Sequence, residues 1–591
     1  MKYKYFPAFL VFTCAILFQH CKQAEKPARP DLSALFEKYY EERLSFYPME
    51  ATMFGNYKYN DKLYAQFTDS YQAELKDFYT HYLAEAEKVD RNSLSEKEKI
   101  NYDDFLWEMK INLEGFDYPL NYIPFEQLGG MHLAFAQAGS GSVIQPFVTV
   151  KDYDNWLQRM ISFGPVMDSA IVYFKKGLAI KYTLPQPLVK KLIPQMQSMA
   201  TNDVTKSVFY QPIIKLPKDF HEADKKRLTE AYTKTIGETV LPAYKKMGVF
   251  LETEYLPGAR TSSGIWDLPN GTKIYDYMVR LNTSTNESPD NIYNTGLSEV
   301  KRIRLQMDSI QKLLGYPGDL EAFFKNLETD KKFRPYRSAD EILADFEKIH
   351  QRMKPQLAKL FNNTPKTPFE IRQIEAFRAK SASSEYIPGT ADGKRPGIFY
   401  VLILDPKNFS VTSGMESLFL HEAIPGHHYQ ISLQQEDTTM PRFRRFGGQN
   451  AYIEGWALYC ESLGKELGLY TDPYQYMGAL GDEMHRAIRL VVDVGLHAKK
   501  MTREEAIQYM TDNEQISNEN ATIEIERYMS NPGQALGYKI GALKIKSLRE
   551  KYAKQLGDKF SVAEFHDQVL KDGSLPLEIL ERKLDDYYAK K

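Results

Sequence analysis

From residue 32 onward the apolar residues return every three or four positions, as in 32–42, 71–88, 222–240 and 295–314, with polar residues punctuating the runs. That spacing gathers them on one face of a 3.6-residue helix, and a chain so patterned buries its apolar surface by packing helix on helix. The expected fold is mainly α. At 591 residues the chain exceeds the roughly 250–300 residues at which a single core stops growing, so two lobes about a cleft are expected over residues 32–591. The sequence carries no repeat at a period of roughly 20–50 residues, which argues against a solenoid.

The first residues follow a different logic. Lys2 and Lys4 precede an apolar run over 6–18, and polar sequence follows at once. The run is shorter than the roughly 20 apolar residues a membrane-spanning helix needs, so residues 1–21 read as an export signal. Within it, Leu17-Phe18-Gln19-His20-Cys21 resembles a bacterial lipobox, in which the cysteine becomes the lipid-modified first residue. It departs from that pattern by holding His20 where a small residue is preferred and Phe18 where a Leu is preferred. The expectation is a cell-envelope lipoprotein anchored through Cys21, in the periplasm or on the outer membrane, with soluble periplasmic release as the alternative. Residues 22–31, with Pro27 and Pro30, would form a tether. Of the three cysteines only Cys460 lies beyond this segment, so no disulfide within the mature chain is possible and stability must come from packing.

Lysine and arginine total 76 against 78 acidic residues, a net charge of −2. That balance provides no field for drawing in a polyanion, and nucleic acid is not an expected partner. The strand-like exception to the helical pattern is 369–372 followed by 397–402, bounded by Pro396 and Pro406. A small sheet is expected there, beside the active-site helix. Its edge either pairs with an extended peptide or serves only the fold.

Chemistry concentrates just beyond this sheet. Of the 11 histidines in the chain, five (His421, His427, His428, His485 and His497) fall within 77 residues. The centre of the cluster is HEAIPGHHYQ at 421–430, preceded by Ser413-Gly414-Met415-Glu416, a capping-box pattern that can start a helix. Zinc-hydrolase helices usually place two histidines four residues apart, with the glutamate after the first activating water. Here the fourth position is Pro425. Proline lacks an N–H and clashes with the carbonyl of His421, while Gly426 adds backbone freedom, so a local bulge is encoded. If the bulge absorbs two residues, His427 returns to the metal-facing side. On an unbroken helix the rival ligand His428 would lie about 10 Å along the axis from His421, too far for both to hold one ion.

A third ligand is expected from Glu454, on a second helix folded back after the loop 441–450, with Glu461 two turns later as its competitor. Two imidazoles and one carboxylate leave a position for water, the pattern of a catalytic zinc site holding one ion. Cobalt or manganese accept similar donors. Glu422 is then the expected general base. Further on, His485, Arg489, Asp493 and His497 recur every four residues. Asp493 is expected to orient a ligand histidine, and Arg489 or His497 to bind a carboxylate or an oxyanion, unless the group is a buried salt-bridge network. Tyr538 could donate to an oxyanion, whereas Trp456 and Tyr459 read as core.

These stretches resemble the bacterial family called domain of unknown function 885, grouped with the zincin metallopeptidases. The resemblance rests on HEAIPGHHYQ, EGWALY at 454–459, RLVVDVGLH at 489–497 and ERYMSNPGQALGY at 526–538. Upstream it extends to GIWDLPNGTKIYDYMVRLNTST at 264–285 and GLSEVKRIRLQM at 296–307. It implies a zincin-like helical fold with a deep cleft, with the metal held within 413–540 by His421, His427 and Glu454 and with Glu422 catalytic. The expected function is a zinc metallopeptidase acting on short peptides. The alternatives are a metal-dependent esterase or amidase, and a lipoprotein that captures peptides without cutting them, against which the intact Glu422 argues. A serine hydrolase is disfavoured, since Gly139-Ser140-Gly141-Ser142 lacks the nucleophile-elbow spacing.

Overall fold

Helices begin where the sequence provides their caps. Ser95 and Glu98 close a capping box at the start of helix Glu96–Gly115. Thr149 and Asp152 do the same for Val150–Ala179, as do Thr502 and Glu505 for Arg503–Asn513. The computed structural model describes residues 1, 31–141, 145–374, 379, 383–390, 395–412 and 414–591. All but the first residue of the expected export signal, Cys21 included, and all but the last residue of the expected tether lie outside the described residues. Asp31 belongs to the fold: its carboxylate accepts from Ser33 N at 2.9 Å and Ala34 N at 3.2 Å, capping helix Leu32–Phe46.

The expected helical stretches are present as Leu32–Phe46, Asp69–Ala86, Glu222–Thr235 with the π-turn Ile236–Val240, and Pro289–Leu313. Mainly helical, the fold carries one small sheet in the order β1(Phe369–Gln373)–β3(Gly397–Val401)–β2(Glu385–Ile387). The two sequence-expected strands are parallel neighbours, Phe369 opposite Gly397, and β2 adds an antiparallel edge that the sequence reading did not include. No helix of the described residues is long and apolar enough to cross a membrane.

Buried apolar side chains gather into three clusters. The N-terminal helices enclose one of their own, sealed by Phe443 against Phe36 and Phe105. The other two share the long helix Pro473–Ala498, which gives Met484, Ile488 and Val492 to one and Leu490 and Val494 to the other. From Ala487 to His497 every residue of this helix is buried. Arg489, Asp493 and His497 within that stretch therefore each need a partner.

Candidate metal centre

The histidine motif forms two helices rather than one bulged helix. Met415–Glu422 ends at Glu422, the Ile424-Pro425 peptide is cis, and His427–Glu436 begins after Gly426. The first helix is capped by Gly414 in the left-handed conformation with no side-chain cap bond, in place of the expected capping box, and Ser413 lies outside the described residues. Gly426 is required where it stands: a Cβ there would lie 1.9 Å from the His421 carbonyl oxygen. The turn is held from the neighbouring helix Asn450–Ser462, whose Trp456 Nε1 donates to the Pro425 carbonyl at 2.9 Å.

That neighbour owes its own position to glycine. At its crossing with helix Leu536–Leu556, a Cβ on Gly541 would lie 1.8 Å from the Ala451 oxygen, and one on Gly455 would lie 2.5 Å from Gly541 Cα. The close approach brings Glu454 and Tyr538 together. Glu454 Oε2 lies 3.7 Å from His421 Nε2 and 3.5 Å from His427 Nε2. One ligand atom from each of these three residues lies within 4.8 Å of the others, and no other such group of three occurs among the described residues. Donor atoms about 2.0–2.2 Å from a tetrahedral ion would stand roughly 3.3 Å apart, so the spacing suits a zinc-sized cation.

Electrostatics point the same way. Burial opposes charge on His421, but hydrogen bonding to Glu454 and Glu461 outweighs it and raises the imidazole to about 10. Burial likewise opposes charge on Glu454, and the two histidines overcome it, holding its carboxyl well below the usual range. A field that retains positive charge this firmly is one that favours a cation. Glu422 is raised, chiefly by burial, with His421 and His427 pulling the other way. Side chains of His421, His427 and Glu454 are 4%, 11% and 21% exposed, so the cluster meets solvent mainly on the carboxylate side.

Around this centre the structure redistributes several expected roles. The carboxylate on the far nitrogen of His421 is Glu461, with Oε1 2.8 Å from Nδ1. Asp493, expected in that role, instead accepts from Tyr275 Oη at 2.7 Å and from Gly533 N at 3.0 Å, tying the helix Gly271–Thr283 and the turn at Gly533 to the long helix. His497 is occupied at both nitrogens by backbone, Ile265 N at 3.2 Å and Tyr528 O at 3.0 Å, and burial lowers it to about 3. It is a pin between segments and has no free nitrogen for an oxyanion. Arg489 donates to Tyr528 Oη at 2.9 Å and Glu524 at 3.2 Å, with its guanidinium 4.6 Å from the Tyr538 ring. Tyr538 does lie beside a ligand, its ring stacked with its centroid 6.4 Å from that of His421. His428 turns to the sheet, Nδ1 3.0 Å from Tyr386 Oη, away from the ligand group. His485 is spent on Glu514 at 3.0 Å. Sequence reading missed Arg486, which lies 3.7 Å from Glu461 and 3.6 Å from Asp482 and carries the polar chain one layer deeper.

A mainly helical chain with a buried two-histidine, one-glutamate cluster on adjoining helices is thus defined. The chain belongs to the family described as bacterial protein of unknown function (DUF885), whose model matches residues 48–584. No curated protein matches it. Among solved structures it is similar to "the putative lipoprotein from Colwellia psychrerythraea", 28% identical with a TM-score of 0.88, covering 95% of this chain and 99% of that one. It is also similar in fold to a Shewanella oneidensis protein of unknown function at 18% identity and TM-score 0.74, covering 93% and 99%.

Proposed function

We propose that this protein is an exported zinc-dependent hydrolase of the peptidase kind, cleaving short peptides with Glu422 as general base. One observation carries the reading: two imidazole nitrogens and one carboxylate oxygen converge, with a buried, raised glutamate adjoining the first histidine in sequence. His421, His427 and Glu454 would hold the ion, which when bound supplies Lewis acidity to polarise a carbonyl and to make water nucleophilic near neutral pH.

The chain's own groups do the rest. Glu422, whose carboxyl burial raises, takes a proton from the attacking water as the C–O bond forms and the carbonyl π pair moves onto oxygen, then passes that proton to the leaving nitrogen as the carbonyl re-forms and the C–N bond breaks. Glu461 fixes the ring of His421 through Nδ1 and so directs Nε2 toward Glu454, where it would serve as a ligand. The Tyr538 hydroxyl, raised first by burial and then by Glu454, stays protonated and can donate to the developing oxyanion. Included in the proposal are a zincin-like arrangement with two lobes about a cleft and a lipid anchor at Cys21. The description of the Colwellia relative supports export.

The test is metal content together with cleavage of a mixed short-peptide library, run beside Glu422→Gln. The expected outcome is cleavage by the wild type and none by a folded, metal-loaded variant. If both hold metal and neither cuts, peptidase activity is refuted; if neither holds metal, the whole reading is.

A further inference from the structure

One turn before Glu454, Asn450 lines a cavity of about 320 Å³ between the N-terminal helices and the body of the protein. Four residues of helix span about 6 Å, so the cavity wall at Asn450 stands one turn from Glu454. Its volume lies in the range of small-ligand sites, roughly 300–1,000 Å³. Trp107, Ile111 and Leu281 provide apolar wall, and the charged groups are Glu50, Asp104 and Glu108 against Arg43 and Arg444.

Both guanidiniums are already committed. Arg43 grips Glu50 through two bonds of 2.5 and 3.2 Å. Arg444 is buried and donates to Asp104 Oδ2 at 3.0 Å, to Asn101 at 2.8 Å and to the carbonyls of Asp572 and Ser574. Three carboxylates face two guanidiniums. Burial raises Asp104 to about 6 and Glu108 to about 7, against the pull of Arg444 and Arg43, so the surplus acceptor oxygens lie on the Asp104–Glu108 side. Asp104 is 5% exposed and its Oδ1 is buried with no hydrogen-bond partner. Glu108 accepts from Tyr39 Oη at 2.7 Å and has no ion pair among the described residues. Asp104 and Glu108 are not part of a group of three or more side chains able to hold a metal ion, and the acceptor oxygens they present suit an organic cation with several N–H donors. A buried acceptor without a donor is costly, which makes an ammonium the complementary group.

We propose that this cavity receives the free amino group of a short peptide, held by Glu108 and Asp104, with Trp107, Ile111 and Leu281 lining the space for its first side chain. The protein would then trim peptides from the amino end. Arg489, expected from the sequence to bind a carboxylate or an oxyanion, is spent on Tyr528 and Glu524. The direction of trimming rests on the peptidase reading, whereas capture of the amino group does not.

The experiment compares one short peptide carrying an apolar first residue with its N-acetylated twin, on the full mature protein. Loss of a charge-assisted hydrogen bond predicts that acetylation lowers kcat/KM by at least about tenfold, mainly through KM. Glu108→Gln should shrink that ratio to within about twofold. Equal cleavage of the two peptides by the wild type would overturn the proposal without any variant. If neither peptide is cut, the peptidase reading fails by itself, and calorimetric binding of the same two peptides to Glu422→Gln decides the amino-group site: a preference of at least about tenfold for the free amine supports it, and equal binding refutes it.

Discussion

Glu461 accepts a 2.8 Å hydrogen bond from Nδ1 of His421, forty residues earlier in the chain, and that bond leaves Nε2 as the free donor atom facing Glu454. An imidazole so held presents one tautomer and one orientation, and the carboxylate behind it raises its basicity. Arg486 lies 3.7 Å from the same Glu461 oxygen, and the second Glu461 oxygen is buried without a hydrogen-bond partner.

Removing the charge while keeping an acceptor isolates that contribution. Glu461→Gln is expected to weaken zinc binding roughly 10–100-fold, read by competition with a chromophoric chelator, with far-UV circular dichroism unchanged. Unaltered affinity would mean that Glu461 serves only the packing of its helix.

Tyr538 lies against His421 and Arg489 with its hydroxyl held protonated. Tyr538→Phe keeps the stack and deletes the donor. Steady-state kinetics should show kcat falling roughly a hundredfold with little change in KM. A rise in KM at constant kcat would instead assign the hydroxyl to substrate binding.

The approach of the two helices that bring Glu454 and Tyr538 together depends on Gly541. A methyl group there meets the Ala451 carbonyl, so Gly541→Ala must spread the crossing. The expected cost is about 1–3 kcal/mol or more in unfolding free energy, with loss of metal affinity because Glu454 moves. A variant as stable and as metal-avid as wild type would show that the backbone yields elsewhere.

His566 is fully buried between Tyr459 Oη and the Leu360 carbonyl, each at 2.8 Å, and burial lowers it from 6.5 to about 3. The unfolded chain therefore binds a proton that the folded chain refuses across that interval. Stability from this group is complete above pH 6.5 and lost as pH falls, at about 1.4 kcal/mol per pH unit once well below that value. His132 and His428, each lowered to about 4, and His497, lowered to about 3, act in the same direction. Urea unfolding of His566→Asn between pH 5.5 and 4.5 should show a slope smaller by about 1.4 kcal/mol per unit. An unchanged slope would show that His566 is already protonated in the folded protein.

Local chemistry made much of this protein legible in its sequence. Apolar spacing marked the helices, because a 3.6-residue period is written residue by residue. Pro425-Gly426 marked a break between His421 and His427, because neither residue continues a helix there whatever surrounds it. What the break becomes was a tertiary matter: two helices joined through a tight turn, held by Trp456 from a neighbour.

Partnership was decided only in three dimensions. Glu454 and Glu461 share a helix face, so their spacing alone allows either to face the histidines; the Gly455–Gly541 crossing places one beside Nε2 of His421 and the other behind Nδ1. Asp493, Arg489 and His497 recur on one stripe as a site would, yet Tyr275, Tyr528, Glu524 and Ile265, from elements distant in sequence, take their hydrogen bonds. His428, adjacent to a ligand, turns to the sheet because the second helix begins at His427 and directs consecutive residues to different sides. Sequence determines which groups are present and the local shape of each segment. Which group satisfies which is settled by burial, where every polar atom must find a partner among whatever the fold brings near.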